Sequence, residues 1–160
     1  MRHAFAISIG AILSIQPASA AGKGFSEFVL EQAHDRSFTQ CDTAIRDAYS
    51  LASGQDIRVI TYSIPGTDGL KIVAVWGKAG DVIHQESQFR KVGATCVFSY
   101  TATITQLKSC AAVLGENPAF KFVAETAGVV FTKNSGGMDM LLSPVGPQAC
   151  MITYIRDGRA

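Results

Sequence analysis

The sequence predicts an α+β fold: one antiparallel β-sheet of seven or eight hairpin-linked strands, packed with three short helices and closed by two disulfides. Three observations predict it. Runs with strand-like alternation recur along most of the chain, separated by clusters of Gly, Pro, Asn and Asp. Three shorter stretches carry apolar residues at helical spacing instead. The cysteines number four, an even count, and all follow what reads as an export signal.

That signal comes first. Met1-Arg2-His3 is a short basic start, 4–15 is apolar apart from Ser8, Gly10 and Ser14, and Pro17 precedes Ala18-Ser19-Ala20, a small-x-small cleavage pattern. The apolar run is shorter than the ~20 residues that span a bilayer. Residues 1–20 are expected to be a signal peptide, cut after Ala20, with no membrane insertion of what remains. The expected destination is the periplasm, with secretion as the alternative. Residues 21–160 are expected to form a single α+β domain.

Composition narrows the class. A charged fraction of 17% with 48% hydrophobic residues suits a folded chain rather than a disordered one. The formal net charge is +1 and falls to zero once Arg2 is removed, so no electrostatic footprint for nucleic acid is present.

The elements follow in order. Phe28, Val29 and Ala33 mark the apolar side of a helix over 26–34. Cys41, Ala44, Ile45, Ala48, Tyr49 and Ala52 keep helical spacing, with Thr39 as the expected N-cap and Gly54 as the stop. A β-branched run over 56–64 leads through Pro65-Gly66-Thr67-Asp68-Gly69 to 70–76, nearly all apolar and hence expected to be central. The run 82–91 is polar on both faces, the pattern of a solvated or edge strand. Over 94–104, Cys96, Phe98, Tyr100, Ala102 and Ile104 share one face, and Thr95, Ser99, Thr101 and Thr103 the other. Leu107, Cys110, Ala111 and Leu114 predict a third helix, stopped by Gly115. Strands are expected over 120–125, 129–133 and 138–142, and a last strand places Cys150, Ile152 and Tyr154 on one face.

Cys41, Cys96, Cys110 and Cys150 are expected to form two disulfides, because no C-x-x-C spacing suggests a metal and an oxidising compartment disfavours a free thiol. Cys96 and Cys150 each follow a Val-Gly pair and each precede a Tyr by four residues. That match suggests an internal repeat, 39–104 and 105–157, each unit pairing a helix cysteine with a strand cysteine. Cys41–Cys96 with Cys110–Cys150 then follows. The rival pairing, Cys96–Cys110 with Cys41–Cys150, stays open, since the helix near 107 directly follows its strand.

Few residues suggest chemistry. His84 and Glu86 project from one strand face, but no third metal ligand accompanies them. His34 and Asp35 are adjacent on a helix and do not face each other. Glu27, Glu31 and Asp35 form an acidic helix stripe, the usual mark of a solvated side. Met138 and Met140 share a strand face, as packing residues do. No phosphate-binding glycine motif and no nucleophile elbow is present. No cofactor or metal is expected, and no catalytic residue.

The expected function is a non-catalytic, exported protein-binding module, most concretely an inhibitor or immunity protein that neutralises an envelope enzyme or toxin. An accessory factor of a secretion or conjugation apparatus is the first alternative, and a small ligand-binding protein or enzyme the second. The expected partner is another protein, and the expected binding residues lie on one hairpin: Trp76, Lys78, Asp81, His84, Glu86, Gln88 and Arg90. A lone large aromatic beside a mixed polar row has the composition of an interface hot spot with its rim. In outline, a tandem helix-plus-antiparallel-sheet repeat with one disulfide per unit is similar to β-lactamase-inhibitor proteins. That similarity is one of architecture and carries no residue over.

Overall fold

The structure is a computed structural model and describes residues 24–53 and 56–160. The expected signal peptide over 1–20 and the helix stop at Gly54 lie outside the described residues. Two helices come first, α1 (Phe25–His34) and α2 (Asp42–Ala48). Four strands follow: β1 (Asp56–Ile64), β2 (Gly69–Lys78), β3 (Asp81–Val92) and β4 (Thr95–Gln106). The second half repeats the order with one short helix, α3 (Cys110–Glu116), then β5 (Lys121–Thr126), β6 (Val129–Lys133), β7 (Asp139–Pro144) and β8 (Cys150–Arg159).

All eight strands form one antiparallel sheet in the order β1-β2-β3-β4-β8-β7-β6-β5. Each half is thus a four-strand meander, and the halves meet where β4 pairs with β8, from Val97↔Arg159 to Gln106↔Cys150. Register assigns the faces. Leu70, Phe89 and Phe98 stand in line across β2, β3 and β4, and Ile104 and Ile152 face each other across β4 and β8. These residues belong to the covered face, where all three helices pack. Val29, Ala33, Ile45 and Tyr49 bury themselves against Leu70, Ile72, Ala74 and Trp76. Val113 does so against Met140, Leu142 and Ile152. Each of the buried Val, Leu, Ile and Met side chains contributes about 1.5–3 kcal/mol on burial.

Two disulfides close the two halves. Cys41–Cys96 ties the start of α2 to β4, and Cys110–Cys150 ties α3 to β8, with Cα atoms 5.5 and 5.0 Å apart. The rival pairing is therefore set aside.

Several local expectations are corrected. The strand β3 is interior rather than an edge, paired with β2 and β4 along its length; β1 and β5 are the edges. Its covered-face polar residues are buried because they bond one another, as described below. α2 begins at Asp42 with Cys41 as N-cap, and no side chain caps it, so Thr39 does not serve there. α3 starts only at Cys110, after an N-cap Ser109 whose hydroxyl accepts from the Ala112 N–H. Leu107 lies before that start and is 86% exposed rather than inward.

Candidate functional site

The face without helices is the candidate site. Its residues are fixed by register, because alternation along eight aligned strands puts every second side chain there. One row across the sheet reads Tyr62, Lys71, Gln88, Ser99, Asp157. The next reads Ile60, Val73, Glu86, Thr101, Ile155 and Asp139. A third runs Arg58, Val75, His84, Thr103, Thr153 and Leu141 to Phe131. Towards the other end of β3, Ile64, Gly69, Arg90, Val97 and Arg159 stand in line. The surface is thus a Ser/Thr ladder on β4, a polar row on β3, and a mixture of apolar and charged side chains on the flanking strands, such as Val73, Val75 and Ile155 beside Lys71 and Asp157.

Two ion pairs lie on it: Lys71 Nζ to Glu86 Oε1 at 2.7 Å, and Lys133 Nζ to Asp139 Oδ1 at 2.9 Å. Both are solvent-exposed pairs, each contributing about 0–1 kcal/mol. Ile60 and Tyr62 are 41% and 49% exposed on the β1 edge. His84, Glu86, Gln88, Ser99, Thr101 and Thr103 ring a shallow depression of about 420 Å³.

The structure brings together four of the seven residues expected on the hairpin. His84, Glu86, Gln88 and Arg90 share the open face on alternate positions of β3. Trp76 does not join them. It stands opposite Ile83, on the covered face, 5% exposed, with Phe25 at 5.1 Å and Tyr49 at 6.2 Å between ring centroids. Lys78 and Asp81 pair at the exposed β2–β3 turn, on the covered-face parity like Trp76. That turn needs Gly77, whose φ of 132° favours glycine and whose added Cβ would collide with the Asp81 carbonyl oxygen.

Sequence reasoning missed two features. The first is the exposed trio Arg58, Ile60 and Tyr62, which alternates with Ile57, Val59 and Thr61. Both sets are largely apolar, so alternation alone does not say which set faces the helices. The second is a buried polar cluster. Tyr49 Oη and Ser87 Oγ are 3.0 Å apart, and Gln85 Nε2 donates to Ser87 Oγ at 3.0 Å and to the Ala48 carbonyl at 3.3 Å. Burial, the larger effect, pushes the Tyr49 phenol up, although Ser87 and Gln85 pull the other way. Tyr154 is likewise raised by burial. His34, next to Asp35 in sequence, instead meets Asp42 of α2 with Nε2 3.1 Å from Oδ1. Among the described residues, no group of three or more His, Cys, Asp or Glu is placed to hold a metal ion.

No family model matches the chain, and no curated protein or solved structure matches it. The function is therefore argued from the site itself.

Proposed function

We propose that the protein is an exported, non-catalytic binding module whose open sheet face holds another protein, most concretely as an inhibitor or immunity protein of an envelope enzyme or toxin. The observation that carries the reading is the helix-free face itself. Four strand spacings across β1–β4 and β8 with the Val82–Arg90 span of β3 give about 19 by 27 Å, and the shorter β7, β6 and β5 add about 14 by 17 Å, on the order of 750 Å² in all. A standard interface buries ~800 Å² on each partner. Anchors of the favoured types stand on it, Tyr62 with Arg58, Arg90 and Arg159, among hydroxyls that suit a polar rim. Strand-borne side chains are also held rigidly, which lowers the entropy lost on docking.

The two disulfides fit a chain that matures in an oxidising compartment. The periplasm is our reading of that compartment. We also read the two halves as two copies of one unit. Each carries a helix, a four-strand meander and a helix-to-strand disulfide, and the meanders are arranged as mirror-ordered halves of the sheet.

Capture from an envelope extract tests the reading. His84→Ala, Arg90→Ala and Tyr62→Ala remove exposed side chains, so melting temperatures should stay within about 2 °C of the parent. Capture of the partner should weaken for each variant, and a substitution at the exposed Leu107, off the face, should leave it unchanged. Unchanged capture by all three face variants sinks the assignment.

A further inference from the structure

The helix side of the sheet offers a second, independent site. A cleft of about 490 Å³ opens above β4 and β8, flanked by the end of α2 and the residues after it, by Phe120 beyond α3, and by Asn134 and Met138 of the β6–β7 turn. Small-molecule sites occupy roughly 300–1,000 Å³ and are mostly apolar with a few polar groups. Tyr100, Ala102, Ile104 and Tyr154 share the covered face of β4 and β8 and form the floor, and Leu51 after α2 and Phe120 after α3 also line the cleft. Leu51 is 96% exposed at the lip, an apolar side chain with nothing over it.

The charged lining residues are Arg156 and Asp47. Arg156 is rooted in the floor, opposite Tyr100 on the β4–β8 ladder. Its guanidinium lies 6.0 Å from the Phe98 ring centroid and forms no ion pair with any described residue. Asp47 belongs to the last turn of α2, where helix carbonyls already gather negative potential. An anion in the cleft is therefore drawn to Arg156 and repelled from the α2 wall. At the other end, register sets Trp76 and Ile83 level with Ile104, which is four residues, about 13 Å, along β4 from Tyr100; Trp76 itself stands two strand spacings, about 10 Å, to the side of β4.

We propose that this cleft binds a single-chain amphiphile, a free fatty acid, with its carboxylate on Arg156 and its tail running along β4 towards Trp76. A guanidinium donates charge-assisted hydrogen bonds to a carboxylate. The tail is received by the apolar floor and covered by Leu51. The site is on the opposite face from the protein-binding surface, so neither assignment rests on the other.

Trp76 is the one tryptophan and lines the cleft, so its fluorescence reports occupancy. The oxidised protein is titrated with ω-bromododecanoate below its micellar concentration. Saturable quenching is expected, because the bromine is carried to the Trp76 end. The isomer brominated beside the carboxylate should compete equally well but quench several-fold less. Arg156→Gln should weaken binding about tenfold through loss of the charged contact. Leu51→Glu should weaken it several-fold, and both variants alter exposed residues, so their melting temperatures should match the parent. Absence of saturable quenching overturns the proposal. So does equal affinity for ω-bromododecyltrimethylammonium, or unchanged binding by Arg156→Gln. Quenching seen only with vesicles of brominated phosphatidylglycerol would assign the cleft to a membrane surface instead, and also overturns it.

Discussion

Replacing Cys110 and Cys150 together by Ser should release α3. The bridge closes a loop with a sequence separation of 40, and the chain-entropy argument puts its contribution at about 4 kcal/mol. The Cys41–Cys96 bridge, with a separation of 55, differs by only about 0.3 kcal/mol on the same argument. The two halves should nonetheless respond differently, because their cores differ. Fifteen buried residues make the first cluster and five the second. α3 has seven residues, too short to persist alone, and one of them, Val113, is buried. Loss of its bridge leaves Val113, the Ser109 cap and the Asn117 side chain bonded to the Val113 carbonyl as its anchors. We expect the melting temperature to fall by roughly 8–16 °C. Hydrogen exchange should rise through α3 and β5–β7 while β2 and β3 keep their protection. A fall below about 2 °C, with exchange in α3 unchanged, would refute the reasoning.

Three further outcomes follow from the first half and from the tyrosines. Trp76→Ala should cost about 3–5 kcal/mol, measured by denaturant unfolding, because it empties the aromatic cluster with Phe25 and Tyr49; a cost under ~1 kcal/mol would contradict its placement. Tyr49→Phe should cost about 1–2 kcal/mol by the same measurement, since Ser87 loses a buried partner, and Ser87→Ala in the same chain should recover part of it. The phenols of Tyr49 and Tyr154 are held above their ordinary value by burial, so the folded state retains their protons longer than the unfolded one. Stability should therefore be intact below about pH 10 and decline as pH rises beyond it. Tyr49→Phe should flatten that alkaline decline; an identical slope in parent and variant would argue against a tyrosine origin.

The strand pattern was legible because turn chemistry brackets each run: Pro65 to Asp68, Ala79 to Gly80 and Asn134 to Gly137 all fall between observed strands, and Gly69, Gly77 and Asp81 lie at the strand ends beside them. The cysteine pairing was favoured by the matched Val-Gly…Cys…Tyr runs, but the rival stayed open, because all four cysteines face inward and only the observed bridges decide between the two. The position of β3 was not. Its Gln85 and Ser87 look solvated in sequence, and only the approach of Tyr49 from α2 shows why they are buried. Trp76 failed for a related reason. The apolar run of β2 makes its two faces alike in sequence, so its parity against the polar row of β3 is set by the register Trp76↔Ile83, a long-range fact. The cleft beside Arg156 had no signal, since it is made where residues of the two halves come together, Leu51 and Tyr100 from one with Phe120, Met138 and Tyr154 from the other.

The β4–β8 ladder joins strands that are made far apart in time. As the chain emerges, β1 to β4 can form their meander and close Cys41–Cys96 while β8 is still to come. Until then β4 is a ten-residue edge with unmet backbone donors and acceptors, from Val97 to Gln106. A β8 from a neighbouring molecule satisfies the same ladder, and the product is a strand-exchanged dimer. Closing Cys110–Cys150 within one chain tethers β8 to the α3 that follows its own β4. The oxidant thus acts as a clock on self-association, and refolding under reducing conditions at high concentration should raise the exchanged fraction.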